Sequence, residues 1–124
     1  MIERVQKELV RLKPYAQRST FGRIQMSACV RTRDAEWVVG INQRKTHPKS
    51  NTPWHFIHAE FDAVNKARLR GLDLLGAEMF VVRWRRDNAF GMAKPCEVCH
   101  ELLKSSGFRS VLWTTDTGFD SENF

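Results

Sequence analysis

Apolar residues recur at helical spacing at the start of the chain, where Ile2 leads Val5, Leu9 and Leu12 with lysines and arginines between them. The spacing predicts an amphipathic helix over residues 2–12, lying on one face of a sheet and ended by Pro14. From Arg23 to Arg33 the period drops to two: Ile24, Met26 and Ala28 alternate with Gln25 and Ser27. Asp34-Ala35 then supplies a turn, and Trp37 to Ile41 forms the second strand of an antiparallel hairpin. A polar stretch follows from Asn42 to His55, broken by Pro48 and Pro53. A loop of that length in a compact domain carries function more often than packing.

Helical character returns from His58 to about Arg70, where Ala59, Ala63 and Ala67 make a small-residue stripe that permits close approach to a sheet. Gly71 stands where a left-handed cap is favoured. Met79 to Trp84 reads as a third strand, its Phe80-Val81-Val82 run suited to a sheet covered on both faces. After a loop from Asp87 to Lys94, Pro95 opens a helix from Cys96 to about Lys104, and Ser110 to Thr114 makes a fourth strand. Thr115 to Phe124 is rich in Asp, Gly and Ser and reads as irregular. The order helix, strand, strand, helix, strand, helix, strand predicts an α/β fold. Its mixed β-sheet carries packed helices in a three-layer-like arrangement, because a crossover between parallel strands lays its helix on a sheet face. At 124 residues, the chain 1–124 holds one domain.

Composition changes this picture in three ways. The net charge of +6 favours a negatively charged partner such as a nucleotide phosphate or a nucleic acid. Three cysteines make no disulfide framework, and Cys29, inside a strand-like run, is expected to be a buried apolar residue. No apolar run approaches the roughly 18 residues of a membrane span, and Met1-Ile2-Glu3-Arg4 has no signal-peptide core. A cytoplasmic address without a membrane partner is the expectation.

The candidate chemistry lies in His58-Ala59-Glu60 and Pro95-Cys96-Glu97-Val98-Cys99. His58, Cys96 and Cys99 provide three metal donors, and a catalytic Zn2+ site keeps its fourth position for water where a structural site is usually closed by four. Cys96 and Cys99 are three apart, so one helical turn points both sulfurs the same way. A helix beginning at Pro95 places both thiols at its positive end, which is expected to lower their pKa. His58 and Glu60 are two apart, about 200° around a straight helix, so they can share a site only off its N-terminal end.

His-x-Glu followed by Pro-Cys-x-x-Cys is the signature of zinc nucleobase deaminases. On these residues the chain resembles the cytidine and deoxycytidylate deaminase superfamily, in the branch whose first ligand is His. The resemblance implies a cytidine deaminase-like fold with the two motif helices side by side. It also implies hydrolytic deamination of a small-molecule nucleoside or nucleotide, in which water activated as hydroxide on the zinc attacks C4 of cytosine and ammonia leaves. Glu60 is then the catalytic proton shuttle, backbone groups near Ala59 hold the pyrimidine edge, and Asn42 contacts the sugar, with Asn51 as the competing choice. A homo-oligomer is a further implication. The branch also includes guanine and tRNA adenosine deaminases, so the base stays open.

Two other readings compete. A base within single-stranded DNA or RNA would need a cationic groove and stacking platforms, for which the basic 42–55 loop, Trp54 and Phe56 are candidates. Arg44, Lys45, Lys49 and Arg85 are the basic residues that could meet a phosphate, and Trp84 and Trp113 are expected in the core. A non-catalytic zinc-stabilised nucleic-acid-binding module would need a fourth protein donor, from His100, His55 or Cys29; His47 is one more histidine of the loop.

Overall fold

The computed structural model describes residues 2–17, 25–44, 56–85, 87 and 89–124. Along the chain these form α1 (Ile2–Gln17), β1 (Gln25–Arg31), β2 (Trp37–Ile41), β3 (Gln43–Arg44), β4 (Phe56–Ile57), α2 (Ala59–Leu69), β5 (Glu78–Trp84), β6 (Phe90–Gly91), α3 (Glu97–Ser105), β7 (Ser110–Thr114) and β8 (Phe119–Asn123). One mixed sheet runs in the order β2-β1-β5-β7-β8, with β6 also pairing with β5. β1 and β2 form the expected hairpin, Ser27 opposite Ile41 and Arg31 opposite Trp37. β5 and β7 are parallel, joined through α3. Among the described residues no helix is long and apolar enough to cross a membrane.

Strand alternation sorts the core into two faces. On one face, Leu9 and Leu12 of α1 pack on Cys29, Phe80, Val82 and Leu112. Burying each leucine contributes about 2 kcal/mol. On the other, Ala59, Ala63, Val64 and Ala67 of α2 and Leu103 of α3 pack on Ala28, Val30, Met79, Val81, Val111 and Trp113. The sheet is therefore the middle of three layers, with α1 alone on one side and α2 and α3 together on the other.

The alanine stripe does what its spacing suggests. A Cβ on Gly40 of β2 would lie 2.6 Å from the Ala59 carbonyl oxygen and 2.8 Å from Ala63 Cα. Only glycine lets β2 and α2 approach so closely, and that approach fixes the start of α2 against the sheet. Gly71 ends α2 at φ 71 and Gly107 follows α3 at φ 85, the left-handed caps their positions call for.

Five expectations need correction. α1 continues through Pro14 to Gln17. Pro14 is exposed in the last turn, where water can reach the carbonyl it leaves unpaired, and buried Ala16 extends the apolar stripe. The tail from Thr115 to Phe124 is ordered: Thr115 N–H donates to the Gly118 carbonyl, and β8 pairs antiparallel with β7, Thr114 opposite Phe119 and Ser110 opposite Asn123. As an edge strand exposed along most of its length it needs no apolar alternation, so its sequence reads as loop. Pro95 precedes the helix and does not open it, since α3 begins at Glu97 with Cys96 as its N-cap. Within the expected 42–55 loop, Gln43–Arg44 pairs with Phe56–Ile57 as a small separate ladder. Trp113 is in the core as expected, whereas Trp84 is half-buried, with Lys13 4.1 Å over its ring.

Candidate metal and active site

Both motif segments change from extended to helical backbone at a metal-donor residue. His58 is the N-cap of α2 (φ −70, ψ 147), its carbonyl accepting the Asp62 N–H at 3.0 Å. Cys96 is the N-cap of α3 (φ −68, ψ 167), its carbonyl accepting the His100 N–H at 2.8 Å. This resolves the angular conflict between His58 and Glu60. His58 stands outside the helix in extended backbone, so its ring and the Glu60 carboxyl are not held to the roughly 200° separation of a straight helix.

The three donors converge. His58 Nδ1 lies 3.6 Å from Cys96 Sγ and 3.4 Å from Cys99 Sγ, and all three donor atoms fall within 4.8 Å of one another. Zinc–sulfur and zinc–nitrogen bonds of ordinary length, set at the tetrahedral angle, place sulfur and nitrogen about 3.6 Å apart. Both nitrogen–sulfur pairs already have the separation the ion requires. Among the described residues this is the one His/Cys/Asp/Glu cluster of metal-binding geometry.

Electrostatics agree with a cation at this position. Glu60, 2% exposed, has its carboxyl pushed above the usual range by burial, partly offset by hydrogen bonds from its own backbone and with Cys99. The Cys99 thiol is driven far up by burial, then by the charges of Glu60 and Cys96. The helix N-terminus therefore does not lower the Cys99 pKa in the chain alone, contrary to the dipole argument, because burial and a neighbouring carboxylate outweigh it. A divalent cation reverses this balance and deprotonates a coordinating thiol outright. Burial lowers the His58 pKa, favouring the neutral imidazole that ligates metal.

Around this centre, Ala59 is fully buried as the first residue of α2, where its N–H is one of those no helical carbonyl reaches. Asn42, 2% exposed, caps the end of the hairpin: its Oδ1 accepts the Met26 N–H at 2.8 Å and its N–H donates to the Met26 carbonyl at 3.2 Å. Asp62 escaped the sequence reading. Its carboxylate accepts the Ile41 N–H at 3.1 Å and pairs with Lys66 at 2.9 Å, tying α2 to the strand that leads into Asn42. The available signal was an acid two residues after Glu60 on the same helix, easily taken for a solvated first-turn charge.

Among the proposed extra donors, His100 pairs with Glu122 at 2.6 Å and Cys29 lies in the core on the opposite sheet face. Arg85 pairs with Asp87 and Asp116. His47, His55, Asn51, Trp54, Lys45 and Lys49 lie outside the described residues, as do the side chains of Arg44 and Phe56.

A mixed sheet with two helix N-termini meeting at a His-Cys-Cys donor set defines the class: an α/β protein built around a three-donor zinc site. Residues 2–115 match the family described as the cytidine and deoxycytidylate deaminase zinc-binding region, and the chain belongs to that family. Solved structures share the fold. The apo dCMP deaminase from cyanophage S-TIM5 is 20% identical over 94% of this chain and 86% of its own, with a TM-score of 0.71. The cytidine deaminase from Burkholderia pseudomallei is 18% identical over 94% and 91%, with a TM-score of 0.70. That from Mycobacterium leprae is 16% identical over 96% and 91%, with a TM-score of 0.60. No curated protein sequence matches the chain.

Proposed function

We propose that the chain is a zinc-dependent hydrolytic deaminase of a cytosine nucleoside or nucleotide. The observation that carries this reading is the meeting of three metal donors from two segments with a buried carboxyl, Glu60, hydrogen-bonded to one of them. His58, Cys96 and Cys99 hold the ion, their two thiolates balancing its charge. When bound, zinc supplies the Lewis acidity that brings the pKa of a water toward neutrality.

Glu60 moves the protons. Its raised pKa suits a group that must take a proton from water, hand it to the ring nitrogen next to the reacting carbon, and help protonate the departing amine. Water's oxygen becomes bonded to C4, the C4–N bond breaks, and ammonia leaves. The Ala59 backbone, at the start of α2, holds the polar edge of the base. Asn42 takes the sugar from the end of the hairpin, where its Oδ1 accepts the Met26 N–H. Cytosine is favoured by membership of the cytidine and deoxycytidylate deaminase family and by the likeness of the fold to a dCMP deaminase and a cytidine deaminase.

Ammonia release from zinc-loaded protein tests the reading directly, with deoxycytidine, dCMP, cytidine, free bases, an adenosine substrate and a single-stranded oligonucleotide offered in parallel. Turnover of a cytosine nucleoside or nucleotide is expected. Release from none of these would remove the hydrolase assignment, and release only from the oligonucleotide or the adenosine substrate would move it to another substrate.

A further inference from the structure

The C-terminal end of β5 carries two arginines, Arg83 and Arg85, and the structure treats them differently. Gly91 of β6 makes room for both: a Cβ there would lie 2.9 Å from Arg85 Cδ and 3.1 Å from Arg83 Cδ. The two stems therefore run side by side across one face of β6. Arg85 is neutralised, its guanidinium bonded to Asp87 and Asp116. Arg83 has no carboxylate partner among the described residues, and its Nε is buried without a hydrogen-bond partner. A buried guanidinium N–H left unpaired is costly, and no described residue compensates it.

The position of Arg83 says which side it serves. Met79 and Val81 face α2 and α3, whereas Phe80 and Val82 face α1. Arg83, two residues after Val81, shares the face that carries the metal donors. It stands directly opposite Met26 on β1, and Met26 in turn is bonded to Asn42 at the end of β2. Asn42, Met26, Arg83 and Gly91 thus form one row across the sheet. Two strand spacings, about 10 Å, separate the Asn42 and Arg83 backbones. The row lies at the carboxyl end of β5, the edge where ligands of open α/β sheets bind.

We infer that Arg83 is the anion-binding residue of this site, and that it takes a phosphate monoester, the 5′-phosphate of a cytosine nucleotide. The identity of the base rests on the deaminase reading above; the anion subsite rests on the row and on the contrast with Arg85. A planar guanidinium presents its donors as a fork that matches phosphate oxygens, and a ligand held by Asn42 at its sugar carries its phosphate within the arginine's reach. The inference deepens the proposed function by choosing nucleotide over nucleoside.

The test uses zinc-loaded protein and two matched pairs. Calorimetric binding of the products dUMP and deoxyuridine reads the subsite without turnover, and kinetics on dCMP and deoxycytidine read it during catalysis. Wild type should bind dUMP at least about tenfold more tightly than deoxyuridine, as expected of a hydrogen bond to a charged group. Arg83→Gln should erase that preference and raise KM for dCMP about 10- to 100-fold while leaving deoxycytidine unchanged. Arg85→Gln should keep the preference. If Arg83→Gln does not fold, Arg83→Lys carries the test, with a smaller rise in KM confined to dCMP. Equal losses on nucleoside and nucleotide, equal wild-type affinity for dUMP and deoxyuridine, the same effect from Arg85→Gln, or a loss seen only with a single-stranded oligonucleotide would each overturn the assignment. Preferential dUMP binding that depends on Arg83, without deamination of either substrate, would keep the subsite and sink the deaminase reading.

Discussion

Cys29 and Cys99 are both fully buried, and burial pushes both thiols far above their ordinary value. Their surroundings make them different residues. Cys29 sits among Leu9, Leu12, Phe80 and Val82, its sulfur weakly bonded to the Val30 carbonyl at 3.5 Å. Cys99 faces an imidazole nitrogen at 3.4 Å, a second sulfur and a carboxylate. Burial alone makes a thiol inert. Burial beside other donors makes a site whose unfavourable charges only a cation relieves.

The largest effect that could break this contrast comes from removing each sulfur. Cys99→Ala should leave protein that binds no stoichiometric zinc and releases no ammonia, whereas Cys29→Ala should keep both; metal analysis beside the activity assay decides it. Chelation of the wild type should give the same inactive state, reversed by zinc and accompanied by a lower melting temperature, because an ion bound only by the folded chain stabilises it. Next in size, Glu60→Gln should cut turnover by about 10²–10⁴-fold with zinc content unchanged. A variant as active as wild type would take Glu60 out of the proton path.

Smaller effects sharpen the comparison by testing packing on the two faces. Gly40→Ala forces a methyl against the Ala59 and Ala63 backbone and should cost about 1–3 kcal/mol in urea unfolding. Cys29→Ala should cost roughly 1 kcal/mol, the scale of the apolar contact removed. It should also change the response to alkali. The folded Cys29 pKa is raised, so its contribution is complete below the unfolded value near 9.0 and declines as pH rises beyond it. Unfolding free energy should therefore fall less steeply above about pH 9 in Cys29→Ala than in wild type, and parallel pH curves would show that Cys29 does not carry the decline.

Much of the fold was readable because periodicity and burial coincide. The alternation in β1, the apolar run of β5 and the alanine stripe of α2 each mark a face that packing then uses. β8 was not readable: Asp120, Ser121, Glu122 and Asn123 are exposed, so its strand identity comes from pairing with β7 and leaves no apolar trace. Gln17 ends α1 three residues after a proline that, by local preference, should have stopped the helix, because the buried Ala16 is a tertiary event. In the site, the convergence of His58, Cys96 and Cys99 was legible from side-chain chemistry and spacing. Asp62 and Arg83 were not, since their significance depends on which backbone lies across from them: Ile41 for one, Met26 and Gly91 for the other.

His58 and Cys96, 38 residues apart, are each the last extended residue before a helix. An ion gripping both would act as a clasp, pinning the first turns of two helices whose far ends are joined by the hydrogen bond from Arg68 to Ser106. Loading and release of the metal should then keep pace with the loosening of those turns. Amide exchange at Asp62 and His100, whose N–H groups bond to the two gripping residues, would time both events with a single clock.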